Sequence, residues 1–190
     1  MRSTIIHTDG ASRGNPGPAA YAFTLAQPGH EVYEESACLG TMTNNQAEYT
    51  AFVRALEYAV KAGVRTPIIL KSDSELIVKQ MRGEYRVKNE ELRPLYAQAK
   101  KAEATLSAGV TYEHVRREQN KRADELCNIA LDGGKPAARN TSRATAPRER
   151  NALKADVIAL LSEAGALPTP EAVWDQLAAL LRRHGLKVPR

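Results

Sequence analysis

The chain has 190 residues, enough for one well-packed domain and a small appendage. Its 43% hydrophobic and 26% charged content is ordinary for a globular protein, and no apolar run reaches the ~20 residues a membrane-spanning helix needs. The net charge of +5 is unevenly placed: residues 1–137 carry 18 Lys and Arg against 17 Asp and Glu, and residues 138–190 carry 9 against 5. A basic end attracts polyanions without sequence choice, so nucleic acid is a candidate partner. Met1 to Thr8 has no apolar core or small-residue cleavage site, so no secretory signal is expected. Cys38 and Cys127 have no metal-ligand spacing and read as two reduced thiols, as in a cytoplasmic protein without membrane association.

Thr4 to Thr8 reads as a short strand ended by Asp9-Gly10, and Ala11 to Pro18, with two Gly, two Pro and an Asn, as a loop. Ala20–Leu25 and Glu31–Leu39 read as two further strands around the turn signal Gln27-Pro28-Gly29, which makes an antiparallel meander. From Asn44 to Lys61 the apolar residues Ala47, Ala51, Ala55 and Leu56 recur at helical spacing, and Gly63 supplies a stop. Pro67–Leu70 is a short strand, and Ser72-Asp73-Ser74 a cap-like start for a helix through Met81. Gly83–Asn89 is a polar connector. Glu90–Leu106 reads as a helix with Pro94 in its first turn, Val110–Arg116 as a strand and Asn120–Leu131 as a helix.

This β-β-β-α-β-α-α-β-α order predicts an α/β fold over residues 1–134: a mixed five-stranded sheet, an antiparallel meander plus parallel strands, flanked by helices. Residues 135–151 lack apolar periodicity and read as a basic flexible linker. Residues 152–190 read as a small helical hairpin, with Thr169 and Pro170 opening its second helix and Trp174 in its core.

Four acidic residues stand at element ends or on first helical turns. Asp9 ends the first strand, Asp73 follows the fourth, and Glu48 and Asp124 lie early in two helices. If the two strands are neighbours, Asp9 and Asp73 leave the sheet at one edge, and the two helix starts can bring Glu48 and Asp124 over it. Clustered carboxylates repel, so their ionised state calls for a cation, and hard oxygen ligands favour Mg²⁺ or Mn²⁺. Two such ions can hold the attacking and leaving oxygens of a phosphodiester in line. Taken singly, each residue reads as a solvated charge or a cap; the flanking sequences change that.

Thr8-Asp9-Gly10-Ala11-Ser12-Arg13-Gly14-Asn15-Pro16-Gly17-Pro18-Ala19, Thr43-Asn44-Asn45-Gln46-Ala47-Glu48-Tyr49, Ser72-Asp73-Ser74 and Asn120-Lys121-Arg122-Ala123-Asp124-Glu125-Leu126 resemble, in order, four blocks of ribonuclease H type 1. The resemblance spans roughly residues 1–134 and implies an endonuclease that hydrolyses the RNA strand of an RNA–DNA hybrid. It implies catalytic and metal-binding roles for Asp9, Glu48, Asp73 and Asp124. Asp9 bridges two Mg²⁺ ions (Mn²⁺ as substitute), Asp124 completes the water-activating site, and Glu48 and Asp73 complete the site at the leaving 3′ oxygen. The implied products carry 5′-phosphate and 3′-hydroxyl ends. Asn15, Asn44, Asn45 and Gln46 match minor-groove contacts; neutral amides donate and accept, and only RNA offers a 2′-hydroxyl. Thr43 matches a position that holds a DNA-strand phosphate, and Asn44 doubles as a candidate helix cap.

The chain departs from many relatives in two places. It resembles the branch without a basic protrusion, with Arg86, Lys88 and Asn89 as substitute backbone contacts. It also has no His on the loop Val115–Asn120, where Glu118 and Asn120 are auxiliary candidates; His114 and His7 read as structural strand residues. The alternatives are the same fold acting on double-stranded RNA, or a non-catalytic hybrid-binding module, which would be expected to have lost a carboxylate. The expected state is a monomer, with the hairpin as the route to self-association.

Overall fold

The computed structural model describes residues 3–133 and, as backbone, 137–141. The elements in order are β1 (Thr4–Ser12), β2 (Gly17–Ala26), β3 (Val32–Met42), α1 (Asn44–Lys61), β4 (Ile68–Ser72), α2 (Glu75–Met81), α3 (Arg93–Thr105), β5 (Val110–His114), α4 (Lys121–Leu131) and β6 (Ala137–Thr141). The five predicted strands form the sheet in the order β5-β4-β1-β2-β3, with β6 added beside β3. The first three pair antiparallel, and β4 and β5 run parallel to β1.

Two strand boundaries differ from the sequence reading in ways that matter for the site. Asp9 does not end β1: the strand runs on to Ser12, because Asp9, Gly10, Ala11 and Ser12 pair with Ala22, Tyr21, Ala20 and Ala19 of β2. Cross-strand pairing outweighs the local Gly signal. The second correction is β6, which lies inside the stretch read as linker. Val32 to Ser36 pair with Thr141 to Ala137, so backbone hydrogen bonding recruits a segment whose side chains carry no strand pattern. The rest of the linker, the helical hairpin and Trp174 lie outside the described residues. Among the described residues no helix is long and apolar enough to cross a membrane.

α1 begins and ends where the periodicity placed it, but its N-cap is Thr43 rather than Asn44. The Thr43 hydroxyl accepts from the Gln46 backbone N–H, and the Gln46 side chain accepts from the Thr43 backbone N–H, a reciprocal capping box. The buried face of α1, with Tyr49, Phe52 and Leu56, packs on Ile6, Phe23, Ile68 and Leu70 of the sheet and on α2 and α3. α4 covers the opposite face through Leu126, Cys127 and Ala130 against Ala20 and Ala22. A two-pronged ion pair from Arg122 to the buried Glu34, at 2.7 and 2.8 Å, ties α4 to β3.

Alternation along β1 then distributes the site. Gly10 faces α1 with Ile6 and Thr8, while Asp9 shares the α4 side with His7. A Cβ on Gly10 would lie 2.3 Å from the Ala47 carbonyl carbon and from the Glu48 backbone nitrogen. Glycine here admits the first turn of α1 against β1, which brings Glu48 to Asp9. Gly10→Ala therefore has no flexible neighbour to displace, and the expected cost is ~1–3 kcal/mol or more. The measurement is a lower urea midpoint at unchanged slope; a wild-type midpoint would show that α1 does not depend on this contact.

Candidate active site

The parallel register of β1 and β4 sets the first two carboxylates. His7 lies opposite Lys71, and Asp9 and Asp73 follow two residues further along each chain, at the same edge. Asp73 stands between the end of β4 and Ser74, the N-cap position of α2. The Ser74 hydroxyl does not cap its own helix. It donates to Glu48 Oε2 at 2.7 Å, while Asn44 Nδ2 donates to Glu48 Oε1 at 2.9 Å. Asn44 and Glu48 are four residues apart and so share a helix face. Asn44 is held in turn, its Oδ1 accepting from the Ser12 N–H at 3.3 Å and its own N–H donating to Asn15 Oδ1 at 3.2 Å.

The fourth carboxylate, Asp124, lies in the first turn of α4 and accepts from the Arg117 guanidinium at 2.6 Å. Asn120, 1% exposed, joins the parts. Its Nδ2 donates to the Thr8 carbonyl at 3.0 Å and to Asp73 Oδ1 at 3.1 Å, and its Oδ1 lies 3.3 Å from His7 Nδ1. Burial lowers the His7 imidazole below its ordinary value, with Asn120 opposing and Lys71 assisting.

Two of the acids, Asp9 and Glu48, respond to their carboxylate neighbours. Burial, then the charges of Asp73 and Asp124, raise Asp9 to about 6, against the Cys127 thiol and Arg117. Burial raises Glu48 to about 7, with the charges of Asp9 and Asp73 adding and the hydrogen bonds from Ser74 and Asn44 opposing. Burial and the neighbouring Asp9 push the Cys127 thiol up. As the side chains stand, Glu48, Asp73 and Asp124 each accept from a donor of their own. Among the described residues no three His, Cys, Asp or Glu side chains form a ready metal-ligand set. The mutual charge effects and the unassembled ligand geometry describe one state: protein hydrogen bonds and Arg117 carry the load. The donor set, four carboxylates with two held above their ordinary values, suits a hard divalent cation, which would relieve the repulsion.

The remaining predicted residues fall into two groups. Thr43 and Gln46 are engaged in the capping box, and Gln46 Nε2 donates to Glu91 Oε2 at 3.3 Å. Asn45, Arg86, Lys88 and Asn89 line one groove of about 540 Å³ together with Leu76 and the half-exposed Tyr85. Asn15 is exposed on the loop after β1, and Glu118 is exposed on a short 3-10 turn, Arg117–Gln119. His7 is a partly buried strand residue, and His114 an exposed one at the end of β5. Gly10, Ser74, Arg117 and Cys127 were not singled out as site residues from sequence. Gly10 and Ser74 do stand inside the blocks around Asp9 and Asp73, and Arg117 is a cation seven residues before Asp124 on the loop that lacks a His; Cys127 carries no such signal.

The elevated carboxylates give a signed pH dependence. A carboxylate raised on folding contributes most to stability below its unfolded value, and that contribution is lost as pH rises through the folded value. In EDTA the chain should therefore lose stability between about pH 4.5 and pH 7 on account of Glu48. Melting curves of Glu48→Gln and wild type should diverge in favour of the variant as pH rises across that window. A gap that stays constant with pH would contradict the charge coupling.

Comparison with known proteins accords with this geometry. Residues 7–130 match the family described as reverse transcriptase-like. The chain is 40% identical over 136 residues to a bifunctional protein of Mycobacterium tuberculosis, a stretch that makes up 70% of this chain and 37% of that protein. It spans, then, just over a third of the mycobacterial relatives it matches. With the ribonuclease H of Lachnoclostridium phytofermentans it shares 34% identity over 154 residues, 71% of this chain and 96% of that protein. Among solved structures, that of LC11-RNase H1, isolated from compost, in complex with RNA/DNA hybrid aligns at 40% identity and a TM-score of 0.65, covering 69% of this chain and 98% of that chain. Sheet order, carboxylate placement and these matches agree: the chain belongs to the ribonuclease H family.

Proposed function

We propose that this chain is an endonuclease that hydrolyses the RNA strand of RNA–DNA hybrids with divalent cations, leaving 5′-phosphate and 3′-hydroxyl ends. The supporting observation is that Asp9, Glu48, Asp73 and Asp124 come from four separate segments to one region, where Asp9 feels Asp73 and Asp124 and Glu48 feels Asp9 and Asp73. Asp9 and Asp124 would hold one Mg²⁺, with Mn²⁺ as substitute, and Asp9, Glu48 and Asp73 a second. Cations bound there would lower the cost of forming hydroxide and offset charge on the leaving oxygen.

The chain's own groups prepare that chemistry. Ser74, Asn44 and Asn120 fix carboxylate oxygens, and Arg117 balances Asp124. Asn120 also orders His7 and the middle of β1, at Thr8, from a buried position. Reading of the RNA strand falls to Asn15, Asn44, Asn45 and Gln46, of which Asn15 and Asn45 are the more exposed, while Asn44 also braces Ser12 and Glu48. Arg86, Lys88 and Asn89 offer backbone contacts along the groove they share with Asn45. The relative solved with RNA/DNA hybrid lends this substrate class support.

The test uses labelled RNA–DNA hybrid, double-stranded RNA and double-stranded DNA in Mg²⁺. The hybrid should be cut on its RNA strand, and EDTA should stop cleavage. Asp73→Asn should lower kcat by more than ~100-fold, since losing a direct ligand exceeds the usual loss of an outer partner, while changing hybrid Kd less than about threefold. Full activity of that variant in Mg²⁺ would contradict the reading, and preferential cleavage of double-stranded RNA would move the substrate class.

A further inference from the structure

An acidic side chain beside a surface meant for phosphates needs a reason, and Glu91 is such a residue. It lies between Asn89 and Leu92, both of which line the groove with Asn45, Arg86 and Lys88, and it is exposed. The electrostatic effect of Glu91 on a polyanion is repulsive. Its hydrogen bonds supply the reason.

The Glu91 backbone N–H donates to Asn89 Oδ1 at 2.8 Å, which bends the connector at its end. Glu91 Oε2 then accepts from Gln46 Nε2 at 3.3 Å. The other end of the same amide, Gln46 Oε1, accepts from the Thr43 N–H at 2.8 Å and from the Thr43 hydroxyl at 3.0 Å. Asn44, the next residue, donates to Glu48 at 2.9 Å, and Ser74 meets the second Glu48 oxygen at 2.7 Å. These bonds and one peptide link run without a gap from the connector to a catalytic carboxylate. A Gln side chain can present either its oxygen or its NH₂ to a given neighbour, whereas a carboxylate only accepts. The Thr43 N–H can only donate and so already turns the Gln46 oxygen to the cap of α1; Glu91, accepting from the Gln46 NH₂, reinforces that orientation and ties it to the connector.

We propose that Glu91 is a positioning residue, coupling the connector that carries Arg86, Lys88 and Asn89 to the capping box of α1 and, through Asn44, to Glu48. The proposal rests on the hybrid-cleaving reading for its kinetic consequence but not for its structural one. Nothing in the order of the sequence blocks pairs residues 91 and 46; the link arises because the connector returns across the start of α1.

Two variants separate positioning from charge. Glu91→Gln removes the charge and keeps an acceptor, and Glu91→Ala removes both. Loss of repulsion alone would lower KM in both and leave kcat alone. Positioning predicts that Glu91→Gln keeps wild-type kcat with an equal or lower KM, whereas Glu91→Ala loses about three- to tenfold in kcat, the size of one net hydrogen bond. In substrate-free protein, amide hydrogen exchange at Gln46 and Ala47 should speed up at least about threefold in Glu91→Ala and stay unchanged in Glu91→Gln. Equal kcat in the two variants, with wild-type exchange at both amides, would overturn the proposal. If the wild-type protein fails to cut hybrid, the functional reading falls, while the exchange comparison still decides the linkage.

Discussion

Asp9 is half-buried where it feels Asp73 and Asp124, and Glu48 is half-buried where it feels Asp9 and Asp73. Such an arrangement costs free energy when all four are ionised, and much of the local structure can be understood as the means of tolerating it. Three of the acids receive donors from elsewhere in the fold: Arg117 from the loop before α4 to Asp124, Asn120 from the α4 cap position to Asp73, and Ser74 to Glu48, which Asn44 of its own helix also holds; the neighbouring Cys127 thiol and Arg117 oppose the rise of Asp9. Remote packing supplies the leverage. The apolar face of α1 against Ile6, Phe23 and Leu70, and the seat of α4 on Ala20 and Ala22, hold the charged ends together.

Gly10 shows how close the tolerance is. Backbone touches backbone where α1 crosses β1, so the distance between Glu48 and Asp9 is set by the absence of a single methyl group. Asn120 plays the complementary part on the other face, where one buried amide serves a backbone carbonyl, an imidazole and a carboxylate. The division between inward amides (Asn44, Gln46, Asn120) and outward ones (Asn15, Asn45, Asn89) is a property of the fold that residue type does not reveal.

Elements with a strong period were legible from sequence. α1 could be bounded at both ends from its alanine spacing and the glycine beyond it, and the five strands could be placed in order from short apolar runs. The four acids could be named because each sits in a block with a recognisable neighbourhood. What remained hidden depends on contacts between distant segments. β1 continues past Asp9 because β2 is there to pair with it, and β6 forms because β3 offers an edge. Thr43 outcompetes Asn44 as cap through a reciprocal bond with Gln46. The partners Ser74, Arg117 and Glu91 are ordinary polar residues until folding brings them within reach of Glu48, Asp124 and Gln46.

The central claim is that burial and neighbouring carboxylates hold Asp9 and Glu48 up to about 6 and about 7, so that a divalent cation bound there would displace protons from them. Calorimetric titration of Mg²⁺ into the chain, in buffers of different ionisation heat, measures this directly, because a cation that displaces protons from its ligands transfers them to the buffer. At pH 6.5 the heat should depend on the buffer, corresponding to a fraction of a proton up to about one released per chain, and by pH 8.5 the dependence should vanish. A heat of binding that is the same in every buffer at both pH values would mean that the four acids titrate independently, each as a solvated surface charge.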